Sequence, residues 1–223
     1  MTLRTNARLA GFTFLIYIAI AVTSMILSRQ VMSGVEGTVA KLASITQHAS
    51  LMRVDILLTM FQAACALILA VSLYALTRNV NRDLAVIALC CRVGEGMIII
   101  LATFRSLALL SIAASTATAT NTIADLLLKM EDWLLFASGT CFAMGSTIYC
   151  YLFLRARSIP VPLAWLGVLA SIVALVVVPL QLAGFIDASV SGLIWIPLLV
   201  FEVALALWLL IKKVVVPPEQ ELA

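Results

Sequence analysis

The sequence predicts an all-α, polytopic membrane protein: one transmembrane domain, residues 1–223, built as a six-helix bundle. Three observations lead there. Hydrophobic residues make up 64% of the chain and charged ones 11%, against about 45–50% and about 25% in soluble globular domains. The mean hydropathy is +1.16, and a soluble domain of 223 residues has too much surface to hide so much apolar material. The apolar residues also fall into six runs of about the ~20 residues that a helix needs to cross a ~30 Å hydrocarbon core.

Those runs are Leu9–Ser28, Leu51–Leu76, Leu84–Phe104, Trp133–Leu154, Leu163–Gly184 and Ser191–Ile211. The first follows the basic start Arg4 and Arg8 and contains a small-x-small pattern at Ala19-Ile20-Ala21. Its apolar stretch continues to Leu27, longer than the about 7–15 residues of a signal core, so it reads as a retained helix. Basic residues set the orientation. Arg4 and Arg8, Arg78 and Arg82, Arg155 and Arg157, and Lys212 and Lys213 mark one side, outnumbering Arg29, Arg53, Lys41, Arg105 and Lys129 on the other. The richer side is cytoplasmic, which places both termini inside. Trp165 and Trp208 then mark the inner interface and Trp133 the outer one.

The connections differ in kind. LTRNVNRD and RARSIPVP are short and hold their helices as neighbours, with Pro160 and Pro162 restarting the fifth crossing. The outer segments are longer and predict short interfacial helices. GTVAKLASITQ presents Val39, Leu42 and Ile45, and the segment STATATNTIADLLLKMEDW presents Ile123, Leu126, Leu127 and Met130.

Charges inside the crossings carry the functional signal, because one at mid-membrane costs at least about 2.5–3.5 kcal/mol and needs a partner. At ~1.5 Å of rise per residue, Arg92 lies about 12 Å and Glu95 about 16 Å in from Leu84, and Glu202 about 13 Å in from Ile211. Tyr17 and Ser146 reach about the same depth. Arg92 and Glu95 are i,i+3 neighbours that can pair directly. An arginine fork suits two carboxylates, so Arg92 is expected to bridge Glu95 and Glu202. That cluster carries one net negative charge, which a proton or cation could neutralise. A second layer near the outer surface holds Arg53, Asp55 and Arg105, with Asp55 and Arg105 expected to pair. Thr59, Gln62 and Gln181 are the polar groups between the layers, and Pro179 and Pro197 can bend their helices near the charges.

Other chemistries lack residues. The five cysteines, Cys65, Cys90, Cys91, Cys141 and Cys150, all lie in apolar runs, and His48 is the single histidine. That set predicts core packing, with neither a disulfide framework nor a three-ligand metal site. No catalytic residue, metal or cofactor is assigned. HExxH, GxSxG and phosphate-loop patterns are absent, and GEG at 94–96 lies in mid-helix. Paired basic residues mark topology and give no nucleic-acid surface. The small residues Ala137, Gly139, Cys141, Ala143 and Gly145 allow a close helix contact, within the bundle or across a homodimer.

Several stretches together resemble the DUF4386 family of uncharacterised bacterial membrane proteins. They are TNARLAGFTFLIYI, VSLYALTRNVNRDLAVIALCCRVGEG, STIYCYLFLRARSIPVPLAWLGVLA and FEVALALWLLIKK. The resemblance runs through nearly the whole chain and includes Arg92 with Glu95, Tyr149 with Tyr151, and Glu202 ahead of Leu207-Trp208-Leu209. It implies the six-helix fold and a bacterial inner membrane, and it transfers no activity. The function expected from the residues is binding or transport of a small or lipid-like ligand at the central cluster, with membrane lipids as partners. The alternatives are a structural, accessory or sensory protein whose ion pair only locks helices, and an intramembrane acid–base enzyme acting on an apolar substrate.

Overall fold

The computed structural model describes residues 3–114, 121–187 and 191–211. The linker at 115–120 and the basic pair Lys212 and Lys213 lie outside them. Seven helices follow one another among the described residues: α1 (Leu3–Met32), α2 (Thr38–Gln47), α3 (Ala49–Thr77), α4 (Arg82–Ala113), α5 (Asn121–Ala156), α6 (Val161–Leu182) and α7 (Ser191–Ile211). All except α2 are long and apolar enough to cross a bilayer.

These six are the six expected crossings, but most run past the apolar runs at their ends. Helix α4 has 32 residues, or about 48 Å at ~1.5 Å per residue, well beyond the hydrocarbon thickness. Outside the apolar run its first turn is held by Asn81, whose side chain accepts from the Leu84 amide at 3.0 Å. Helix α5 departs most. The segment read as a second short helix is its first three turns, continuous with the crossing. Lys129, Glu131 and Asp132 look like a membrane edge in sequence, yet they are tolerated in helix. Lys129 pairs with Asp125 one turn back at 2.8 Å, and Glu131 finds a partner on α4. The packed face there is Ala124 with Leu127 and Leu128, whereas Ile123 and Leu126 point outward.

The six long helices form a closed ring. Each packs against its neighbours in the chain, and α1 meets α7 to close the circle. Small residues let the walls approach. A Cβ on Gly11 of α1 would stand 2.6 Å from the Ala206 carbonyl oxygen of α7. On α5, Gly145 faces Ala88 and Cys91 of α4, and Gly139 faces Trp195 of α7. Helix α2 caps one end of the ring. Its Ser44 hydroxyl donates to the Val31 carbonyl at 2.6 Å, and Thr46 donates to the Ala113 carbonyl at 2.9 Å. Ile45 is buried beneath it, while Val39 of the same helix stays exposed.

The polarity of the ring is the reverse of a soluble bundle. Phe12, Leu57, Phe61, Val71, Phe104, Leu169 and Val200 face outward, and the largest fully buried side chain is Arg92. An outer apolar belt around buried charge is what lipid as solvent demands.

Candidate functional site

The central layer starts from one helical turn. Arg92 and Glu95 stand three residues apart on α4, each 1% exposed, and Arg92 Nη1 donates to Glu95 Oε2 at 2.7 Å. The other Glu95 oxygen accepts from the Tyr17 hydroxyl of α1 at 2.5 Å. Both Glu95 oxygens are thus held by donors, an arrangement that suits an ionised carboxylate in a dry site. Gly145 gives the arginine stem its room, since a Cβ there would come within 3.3 Å of Arg92 Cγ. Two rings crowd the guanidinium, Phe142 of α5 at 4.7 Å and Phe14 of α1 at 5.6 Å from their centroids. Cation–π contacts of this kind are worth about 2 kcal/mol where water is excluded.

Glu202 of α7 reaches the same layer and is 8% exposed. In this structure it does not form an ion pair with Arg92, which corrects the expected bridge: Arg92 is joined to Glu95 alone. The i,i+3 partner on the same helix is already in reach, and the two rings fix the guanidinium beside it. Glu202 Oε1 is left buried without a hydrogen-bond partner, as are Arg92 Nε and Nη2. Glu202 instead lines a void of about 10 Å³ together with Ser146, Tyr149 and Cys150 of α5 and an apolar wall that includes Phe14, Leu73 and Phe201. The Tyr149 hydroxyl is turned away to the Ala70 carbonyl of α3 at 3.2 Å. The layer therefore gathers Tyr17, Arg92, Glu95, Ser146 and Glu202 from four helices, as the depths require. Phe14 and Phe142 were not foreseen. Each lies about one turn from a polar member, Phe14 three residues before Tyr17 and Phe142 four before Ser146, and that spacing was the available signal.

The family described as Domain of unknown function (DUF4386) matches residues 9–212. The chain belongs to the DUF4386 family. No curated protein and no solved structure gives a match to it.

In this DUF4386 protein the second layer is arranged differently from expectation. Arg105 does not pair with Asp55. Its Nη1 donates to Glu131 Oε2 of α5 at 3.1 Å, and its Nη2 donates to the Ser106 hydroxyl at 3.2 Å. Glu131 also accepts from Ser28 of α1 at 3.4 Å. Crossing depth does not single Glu131 out, because in sequence it falls just before the apolar run that begins at Trp133. Asp55 and Ser24 are neighbours nearby, with Asp55 Oδ1 and Ser24 Oγ both buried. Arg53 is apart from this group, exposed on the rim of a groove of about 300 Å³ that Thr46, Leu107 and Ser111 also line. Of the groups between the layers, Thr59 donates to its own helix at the Asp55 carbonyl (2.9 Å), Gln62 is half-buried, and Gln181 donates to the Asp187 carbonyl at 3.2 Å near the end of α6.

The Arg105–Glu131 pair should contribute little. The Arg105 side chain is 9% exposed but that of Glu131 is 38% exposed, and pairs with one partner open to water are worth about 0–1 kcal/mol. Glu131→Gln is expected to leave the detergent melting temperature nearly unchanged. A loss of more than about 2 kcal/mol would mean that the outer layer is as dry as the inner one.

Proposed function

We propose that the protein binds a small or lipid-like molecule, or carries it across the membrane, at the Arg92–Glu95–Glu202 layer. The observation that supports this is the set of orphaned atoms at one depth: Arg92 Nε, Arg92 Nη2 and Glu202 Oε1. A layer that served only to lock helices would gain by satisfying every donor and acceptor, since each buried orphan costs about 1–3 kcal/mol and more when charged. A site that receives a polar guest keeps them free. One observation favours the structural lock: the void beside Glu202, about 10 Å³, holds no more than about one water. A larger guest then requires α7 to move. That helix has the sparsest seam in the ring, against α6, and carries Pro197 five residues before Glu202.

Native mass spectrometry of the purified protein tests the proposal. The parent should retain a bound molecule through gentle detergent removal, and Arg92→Ala should lose most of it. Identical spectra for the two would favour the lock.

The proposed setting is the bacterial inner membrane with both termini cytoplasmic. Arg4 and Arg8, Arg78 and Arg82, and Arg155 and Arg157 cluster at the turns opposite α2, in keeping with the positive-inside rule. Single cysteines at Glu36, Val80 and Asp187, in a background without the native five, should report it in intact cells. Labelling at 36 and 187 with protection at 80 is expected; the reverse pattern inverts the orientation.

A further inference from the structure

The orphaned atoms are complementary to one another. Arg92 commits Nη1 to Glu95, while Nε and Nη2 have no partner. In a guanidinium those two nitrogens share an edge whose parallel N–H bonds match the two oxygens of a carboxylate. Across the layer stands Glu202, a carboxyl whose Oε1 also lacks a partner.

Charge decides what Glu202 holds. Arg92 and Glu95 cancel, so an ionised Glu202 with no ion pair would be an uncompensated charge in a layer from which water is nearly excluded, at a cost of several kcal/mol. A metal cation is a poor remedy. A calcium-like ion needs about six oxygens around it, and among the described residues the side chains lining the void beside Glu202 add only the hydroxyls of Ser146 and Tyr149, the latter already donating to the Ala70 carbonyl. A proton needs no such shell. The ionisable groups that face Glu202 are Arg92 and Glu95 from α4, Tyr17 from α1, and Tyr149 and Cys150 from α5. Helix α6, packed on α7, carries no ionisable side chain at all.

Resting on the reading of this layer as a guest site, we infer that Glu202 is an exchangeable proton site that governs access to Arg92. With the proton on Glu202, the Arg92 edge is free to hold acceptor oxygens of a guest. When the proton leaves, the carboxylate takes that edge in a bidentate pair and competes the guest away. One proton is released for each Glu202–Arg92 pair formed, the guest's hydrogen bonds to that edge are replaced by those of the carboxylate, and no other covalent bond changes. Guest binding and protonation of Glu202 then favour each other by the same factor.

Infrared difference spectroscopy of the full chain reads the proton directly, in a maltoside detergent that has no carbonyl group of its own. Between about pH 5 and about pH 9, a carboxylic acid C=O band should disappear, shift in heavy water, and be missing from Glu202→Gln. Arg92→Lys, which keeps the charge but lacks the fork, should hold the band to higher pH. No Glu202-dependent band across that range, or one that persists unchanged at the upper end, overturns the inference. So does a band displaced by sodium chloride but not by choline chloride, which would make the site a metal-ion site. A bound molecule in the native mass spectra without a titrating band sinks the proton and leaves the guest; a titrating band without a bound molecule does the opposite.

Discussion

Arg92→Ala should destabilise the purified protein by about 3–5 kcal/mol, the largest effect of any single change in the central layer. Four losses combine. Glu95 keeps the Tyr17 hydrogen bond but loses its only counter-charge. Glu202, at the same depth, loses the positive charge across the layer. Phe14 and Phe142 lose their cation, and a side chain that is 1% exposed leaves a hole in the ring. Glu95→Gln added to Arg92→Ala should recover a large part of the loss, since it removes the stranded carboxylate and still leaves Tyr17 an acceptor. The measurement is thermal unfolding in detergent for the parent, both single variants and the double variant. Additive single effects would show that Arg92 and Glu95 are not energetically coupled, and an unchanged Arg92→Ala midpoint would show that the layer is wet.

The parts of this architecture legible in sequence are those that lipid forces on the chain. A crossing must be apolar over about 20 residues, so the six helices stand out as runs. A charge inside a run must be at some depth, so Arg92, Glu95 and Glu202 could be assigned to one layer with Tyr17 and Ser146. Depth is one coordinate of three. It says nothing about which helices are ring neighbours or how each is rotated, and partner choice depends on both. That is why the expected Arg92–Glu95 pair is present while the further bridge to Glu202 is not, and why Arg105 meets Glu131 in place of Asp55. Phe14 and Phe142 were hidden for another reason. In a chain of this composition an aromatic residue inside an apolar run is unremarked, and only its spacing from a polar neighbour distinguishes the inward face. The helix ends were hidden by the opposite effect: once outside lipid, Lys129 to Asp132 can stay helical because their charges are paired or hydrated.

Gly11→Ala is the second large effect expected, and it probes the closure of the ring. In an ordinary exposed helix the change would stabilise by about 1 kcal/mol, because alanine loses less backbone entropy. Here the new Cβ would fall 2.6 Å from the Ala206 carbonyl oxygen and 2.9 Å from Leu210 Cγ. Leu210 can change rotamer, but the carbonyl belongs to the α7 backbone and cannot turn aside without breaking helix. Helices α1 and α7 must therefore separate, and overpacking of this kind costs about 1–3 kcal/mol. Separation at Gly11 also shifts α7, the helix that carries Glu202, so the variant should disturb the central layer two turns away. Gly94→Ala is the matched control. Its Cβ would meet only Cys141 Sγ, at 3.7 Å, an ordinary contact, so it should be neutral or stabilising by up to about 1 kcal/mol. Detergent melting should rank Gly94→Ala at or above the parent and Gly11→Ala clearly below it. If Gly11→Ala melts with the control, α1 and α7 do not close the ring at this point, and the wall beside Glu202 is open there.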